Sequence, residues 1–437
     1  MTCMRKISCL VLLCLMTIAA IAQTGGCNSS YSRFGLGLLS EQSDGLRKSM
    51  GGAGLGLRVG NRINSSNPAS LSAIDSLSFL MDVGMKSSFG KMQQGNQTVA
   101  VNNSTLDYVH VGLRLRKGLG LAIGFTPYTN IGYDYDSPDL DVATETNSSQ
   151  TISSSNGYAG SGGLNRVYMG VGWRVWRNLS VGVNGSFVWG DYYHVVGTEY
   201  KEAGVSSDSY SCLQKIFSSD IRTYRIDFGA QYVIRLDADD LLTVGATYGL
   251  GHKIRQDAEL LHLTTDADTT FYTAHSPFDL PHGGGLGVAW QHKANLLVAL
   301  DANYEAWGAC RMPVEVTEGY EARTGQYRDL YKVAAGAQWT PDPVKKDYWK
   351  RVQYRAGMSW TSPYVKINGM DGPYELSLRL GMGLPITNRI NSRSVVNIGA
   401  EWLRRNASGS SMVKEDYFLI NLGLTFNEAW FMKYKIK

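Results

Sequence analysis

From Phe418 to Phe426 the chain reads Phe-Leu-Ile-Asn-Leu-Gly-Leu-Thr-Phe. Phe418, Ile420, Leu422, Leu424 and Phe426 fall on one side of an extended backbone, and Asn421, Gly423 and Thr425 on the other. Successive side chains of a strand point to opposite faces, so this is a strand with one apolar face and one polar or glycine face. The same period recurs upstream. Leu77, Phe79, Met81, Val83 and Met85 alternate with Ser78, Asp82, Gly84 and Lys86; Val109, Val111, Leu113 and Leu115 alternate with His110, Gly112 and Arg114. Leu119, Leu121, Ile123 and Phe125 repeat it again.

Fourteen such segments can be marked: 76–90, 105–116, 118–128, 164–175, 178–190, 221–235, 240–255, 283–291, 295–307, 327–340, 351–361, 374–385, 394–404 and 415–426. Boundaries of this kind carry about two to four residues of slack, which leaves twelve or sixteen strands open. An even count suits a membrane barrel formed by one chain. The connections add weight. Arg116 to Gly118, Trp176 to Asn178, Leu236 to Asp239, Gln291 to Ala294 and Thr387 to Arg393 are tight turns. They alternate with long polar loops near 129–162, 191–220, 256–281 and 308–326, apart from a medium turn from Thr340 to Lys350. Outer-membrane barrels have short periplasmic turns and long extracellular loops.

The faces decide between a membrane barrel and a soluble one, since a soluble barrel turns its apolar face inward. Here the apolar faces are long and fringed with Trp173, Tyr232, Tyr248, Trp290, Tyr304, Trp339, Tyr354, Trp360 and Trp402, as in an interfacial aromatic girdle. The polar faces carry His110, Arg114, Arg166, Arg225, Asp227, Asp301, Glu305, Arg355, Arg379 and Glu401, with Gly112, Gly170, Gly229, Gly357, Gly381, Gly399 and Gly423 between them. These become the lumenal wall, where such charges serve chiefly as space-filling ion pairs. Composition agrees: 49 glycines, 25 tyrosines and 10 tryptophans in 437 residues, and only 18% charged residues, against ~25% for soluble chains. A net charge of +4 gives no argument for nucleic acid.

Arg5, Lys6 and the apolar run Ile7 to Ala22, ending in Ala20-Ile21-Ala22, read as a secretory signal cleaved before Gln23. No later stretch is long and apolar enough for a spanning helix. Cys27, Cys212 and Cys310 remain after cleavage. They are too scattered for a metal site, a Cys212–Cys310 disulfide stays open, and lipid attachment at Cys27 after Gly25-Gly26 is disfavoured because the apolar run ends too early. No cofactor and no metal is implied. Asp134, Asp136, Asp139 and Asp141 in the first long loop have a spacing that calcium could use, though a solvated acidic loop is the better reading. Seven histidines lie near no nucleophile, and catalysis is not expected.

Residues 23–75 are not strand-like. Gly51, Gly52 and Gly54 sit in a glycine-rich run, and Asn67-Pro68-Ala69 follows. A nucleotide loop is excluded because no strand precedes the glycines. Glycine permits close backbone approach, and Asn before Pro starts a turn. The expected division is therefore a signal (1–22), a lumenal hatch (23–75), a transmembrane barrel (76–426) and a periplasmic tail (427–437).

Met50-Gly51-Gly52-Ala53-Gly54 followed by Asn67-Pro68-Ala69 resembles the N-terminal hatch of the FadL-type long-chain fatty acid transporters of Gram-negative outer membranes. Leu280-Pro281, Leu286 to Trp290 and Leu300 to Tyr304 with Trp307 resemble that family's paired strands. The resemblance implies an all-β, fourteen-stranded transmembrane barrel whose N-terminal plug holds Asn67, Pro68, Ala69 and the three glycines. It implies a hydrophobic small-molecule ligand such as a fatty acid, with outer-membrane lipid around the wall. The polar first loop departs from members that capture fatty acids with apolar loops. A barrel that serves as partner or scaffold of an outer-membrane secretion or assembly machinery is the alternative.

Overall fold

The computed structural model describes residues 29–76, 78–137, 140–143, 151–202, 211–264, 269–317, 319–386, 394–407, 409 and 412–429. Fourteen strands make the wall. They are β1 (Ser78–Gln94), β2 (Gln97–Arg116), β3 (Leu119–Pro127), β4 (Thr151–Arg174), β5 (Leu179–Glu202), β6 (Ser211–Arg235) and β7 (Asp240–Gly249). The ring continues with β8 (Gly283–His292), β9 (Leu296–Glu305), β10 (Leu330–Trp339), β11 (Gln353–Thr361), β12 (Tyr374–Pro385), β13 (Val395–Asn406) and β14 (Lys414–Ala429). Each strand pairs antiparallel with the next. β14 then pairs with β1 from Ala429 opposite Ser78 to Lys414 opposite Gln93, which closes the sheet. A closed ring of this kind satisfies its backbone groups internally, which hydrocarbon demands.

Alternation sorts the side chains as the sequence pattern requires. Met169, Val183, Leu286, Leu300, Leu380 and Leu422 are exposed on the outside, whereas Arg166, Asn184, Asp301, Arg379 and Asn421 are buried within. Exposed rings border the apolar band at both ends. Trp173, Tyr232 and Trp339 lie toward the short turns, and Tyr224, Tyr248, Tyr304, Tyr331, Trp360 and Phe418 toward the long connections. Exposed apolar surface on this scale belongs in lipid, and the barrel is an outer-membrane one.

Residues 29–76 run down the inside. Ser29 donates to Glu415 of β14 at 2.7 Å, near the outer end of the barrel. Leu38 and Leu39 pair with Asn130 and Thr129 of the segment Thr129–Asp136. Short helical turns follow at Gly45–Lys48 and Pro68–Ala73 before the chain passes to β1.

The connections between strands differ from expectation. The regions 129–162, 191–220 and 256–281 are largely sheet rather than loop: Thr129–Asp136 pairs with β4, β4 starts at Thr151, β5 runs to Glu202, and Ala258–Thr264 pairs with β6. The β1–β2 hairpin likewise extends to Gln94 and Gln97, over residues the sequence pattern left outside strands. Above the bilayer neither face needs to be wholly apolar, so alternation fades while the backbone ladder continues. The 308–326 connection contains a small hairpin, Met312–Val316 with Gly319–Arg323. β14 runs three residues beyond Phe426, to Ala429. Cys310 is a buried free thiol, and the Cys212 side chain lies outside what the structure describes. The signal segment, Cys27 and the tail beyond Ala429 lie outside the described residues.

Candidate functional site: the plug seam and the chamber above it

The N-terminal segment is held to the wall by directional bonds. Asp301 of β9 accepts from the amides of Gly54 and Leu55 at 2.6 and 2.8 Å. Arg379 of β12 bridges Glu41 of the plug at 2.6 Å and Glu401 of β13 at 2.7 Å, and Lys332 of β10 reaches the same Glu41 at 3.3 Å. Lys48 pairs with Asp107 of β2, which Lys86 of β1 also approaches at 3.6 Å. Arg355 of β11 donates to Gln338 and Asn397 at 2.8 and 2.7 Å, and Arg62 of the plug donates to Gln353 at 2.8 Å. Within the plug, Asp44 caps the helical turn through the amides of Leu46 and Arg47 and binds the Arg47 guanidinium at 2.7 Å. A buried charge must be paired to be tolerated, and this seam pairs most of what it buries.

Asn67 is fully buried at the wall. Its amide donates to the carbonyls of Leu55 at 2.8 Å and Ala230 of β6 at 3.1 Å, while its own carbonyl oxygen accepts from Ala69 at 3.1 Å and caps the Pro68–Ala73 turn. Gly229 stands opposite, and a Cβ there would overlap the Asn67 side chain. Gly51 has φ +71, and a Cβ on it would overlap the Met358 carbonyl of β11. Pro68 and Ala69 are buried beside Gly182, and Gly52 and Gly54 lie against Glu41 and Arg47. The hatch residues thus divide between two parts of the wall, Gly51 at β11 and Asn67 with Pro68 at β5 and β6.

The wall residues divide into two groups. Asp301, Arg355, Arg379 and Glu401 meet the plug or its neighbours. Arg166, Arg225 and Asp227 form a separate cluster, with Arg225 and Arg166 at 2.8 and 3.5 Å from Asp227 and Arg225 donating to Tyr128 at 3.1 Å. Glu305 accepts from the Trp307 indole at 2.7 Å. His110 is fully buried beside Tyr108 and Tyr168, and neither ring nitrogen has a partner among the described residues. Arg114 lies away from all of these, near the periplasmic turn, donating to the Arg116 carbonyl at 3.1 Å. Asp134 and Asp136 stand on the segment Thr129–Asp136, and Asp139 lies outside the described residues. Sequence reasoning missed Glu41, Asp44, Arg47, Arg62 and Asp107. The signal for the first four was available, because a segment expected inside a barrel cannot leave its charges unpaired, and Asp107 on β2 is one of the partners it requires.

Above the plug, segments from the tall connections close the outer mouth. Tyr128, Tyr133, Tyr192, Phe278, Trp307, Tyr320 and Tyr327 pack with Tyr31 and Leu36 into one apolar core. Between this cap and the plug lies a cavity of about 350 Å³, reaching from Lys86 and Ser88 of β1 round to Asn130. Tyr31, Phe34, Leu38, Tyr364 and Ile367 give it apolar walls, and Glu41, Lys48, Lys332, Arg379 and Arg405 a charged floor and side. Its wall side runs from Asp301 of β9 round through Tyr417 of β14 to β1. β2 and β3 pair only from Val109 to Arg116, and above that level β3 passes into Thr129–Asp136, which follows β4 instead.

A fourteen-stranded antiparallel barrel with an apolar exterior and an N-terminal segment folded into its lumen defines a plugged outer-membrane barrel. The sequence matches the BamG family model over residues 4–437, and the chain belongs to that family. Its fold is the FadL-type fold. The Pseudomonas putida toluene transporter TodX superposes with a TM-score of 0.58 at 16% identity, covering 90% of this chain and 99% of that one. The Ralstonia pickettii toluene transporter TbuX gives 0.57 at 15% identity, covering 88% and 98%. A Pseudomonas aeruginosa FadL homologue gives 0.59 at 11% identity, covering 89% and 99%. No curated protein matches the sequence.

Proposed function

We propose that the protein is an outer-membrane conduit for hydrophobic or amphiphilic small molecules. The observation that carries this reading is the chamber between cap and plug, which is walled by β9 to β14 and by Lys86 and Ser88 of β1. Ligand sites are concave and mostly apolar with a few placed polar groups, and the Phe34, Leu38, Tyr364 and Ile367 walls over the charged floor suit a molecule with an apolar body and a polar end. The solved structures of similar fold that carry toluene support hydrophobic cargo in general. A long-chain fatty acid is the specific cargo we favour, on the hatch resemblance at Asn67-Pro68-Ala69.

One observation favours the second reading, a partner of an outer-membrane machinery. The mouth is filled by its own aromatic core, and ion pairs crowd the chamber floor, so passage requires part of this packing to move. The test is uptake of a long-chain fatty acid and of toluene into proteoliposomes, with a Ser88→Trp variant that narrows the chamber. A conduit loses uptake in that variant while it keeps its heat-modifiable band on gels. Absent uptake in the wild type, together with a stoichiometric partner that co-purifies in mild detergent, moves the assignment to the second reading.

A further inference from the structure

The periplasmic rim is unevenly charged. Arg114, Arg174 and Arg235 stand at the periplasmic ends of β2, β4 and β6. Alternation puts all three on the inner face, since Leu115 and Trp173 beside them and Tyr232 on β6 are the exposed lipid-side residues. Arg116 and Lys117 occupy the β2–β3 turn, and Arg177 the β4–β5 turn. These turns are neighbours: the Arg174 amide donates to the Gly118 carbonyl at 2.7 Å, and the Val233 amide of β6 to the Asn178 carbonyl at 2.9 Å. Arg58 brings a seventh cation from the plug into the same mouth, bonded to Gln231 of β6 at 3.2 Å and to Ser72 at 2.8 Å.

Among the described residues none of these seven cations forms an ion pair, whereas the turns that follow Arg235 round the ring are neutralised locally. There Asp239 meets Lys293 at 3.5 Å, Asp240 meets His292 at 2.9 Å, Asp342 meets Lys345 at 3.5 Å and Asp347 meets Lys350 at 3.8 Å. The carboxylates beside the first arc are the exposed Asp237, two residues past Arg235, and Asp75 of the plug, whose amide donates to the Gly60 carbonyl at 2.9 Å. Seven like charges outnumber them, an excess that costs free energy, and an anionic partner offsets that cost.

The direction of the side chains selects the partner. A lipid phosphate sits outside the wall, behind Leu115 and Trp173, while Arg58, Arg114, Arg174 and Arg235 face the water-filled mouth. We propose that this arc is a docking surface for an acidic segment of a periplasmic polypeptide, which lies across the β2–β3 and β4–β5 turns and reaches Arg58 under the plug. The proposal is independent of ligand passage, which uses the other end of the lumen.

The test uses the full-length protein in zwitterionic nanodiscs and a fluorescent poly-glutamate peptide as probe. A variant with Arg116→Gln, Lys117→Gln, Arg174→Gln, Arg177→Gln and Arg235→Gln alters exposed side chains alone, and heat-modifiability reports its folding. A control variant carries Lys345→Gln and Lys346→Gln in the β10–β11 turn. The wild type and the control should bind the probe in a salt-sensitive way, and the five-fold variant should bind it roughly tenfold more weakly or worse. Equal binding by the five-fold variant, or an equal loss in the control, overturns the proposal. Neither failure touches the uptake assay.

Discussion

The two halves of the lumen are stabilised by different physics. At the plug level, contacts are directional: Asp301 holds two plug amides, Arg379 joins two carboxylates, and Asn67 bonds the carbonyls of Leu55 in the plug and Ala230 in the wall. At the outer mouth, Trp307, Phe278, Tyr192 and their neighbours form a continuous apolar core with few such bonds. Directional bonds fix a position but are lost singly when a partner goes, whereas burial is non-directional and cooperative. The plug is therefore a register device, and the cap is a packed core built outside the membrane.

The sharpest way to break this contrast is to remove one member of each kind. Trp307→Ala in the cap should cost about 3–5 kcal/mol through lost burial and the cavity left behind. Arg379→Met at the seam should cost a similar ~3–5 kcal/mol, because Glu41 and Glu401 are left buried without their shared cation. The temperature at which the heat-modifiable band collapses reads both. The halves differ in rescue: adding Glu41→Gln and Glu401→Gln should recover most of the Arg379→Met loss, while no second polar change should recover Trp307→Ala. If both losses respond alike, the distinction fails.

Next in size is the wall itself. Leu422→Arg on the lipid face should cost ~2–4 kcal/mol, and Arg at the lumenal neighbour Asn421 much less. Reversed costs would mean that the faces are inside out. Asp301→Ala follows, since it strands two plug amides at roughly 1–3 kcal/mol apiece. Its predicted signature is faster amide hydrogen exchange at Gly54 and Leu55 with the cap unchanged.

The smallest effect is the pH dependence that the cap contributes. His194 lies on β5 above the outer aromatic ring, stacked on Tyr133 and hydrogen-bonded to its hydroxyl at 2.5 Å. Burial, with a lesser push from Arg33, lowers its pKa from 6.5 to about 3. The unfolded chain takes up this proton first, so the stability contributed by neutral His194 is complete above about pH 6.5 and is lost as pH falls from there toward 3. Band collapse should come at a lower temperature at pH 5 than at pH 7.5, and His194→Phe should reduce that difference. A plug-seam variant should leave it in place.

How much of this could be read from the chain alone depends on range. Period-two alternation from Val109 to Leu115 or from Phe418 to Phe426 marks strands and assigns their faces, because the pleat repeats every two residues whatever else surrounds it. The fourteen-strand count and the inward placement of Arg166, Asp301, Arg379 and Glu401 follow from that local rule. A turn at Asn67-Pro68 is legible too, since Pro restricts the residue before it, while a hatch there was implied only by the family resemblance. The cap did not show, because its residues are scattered singly through segments whose alternation fades above the bilayer. Nor could the sequence pair Gly54 with Asp301, 247 positions away, or gather Arg58, Arg114, Arg174 and Arg235 at one mouth. Those neighbours are set by the registers of the whole closed ring, and a register is decided only when every strand has found its partner.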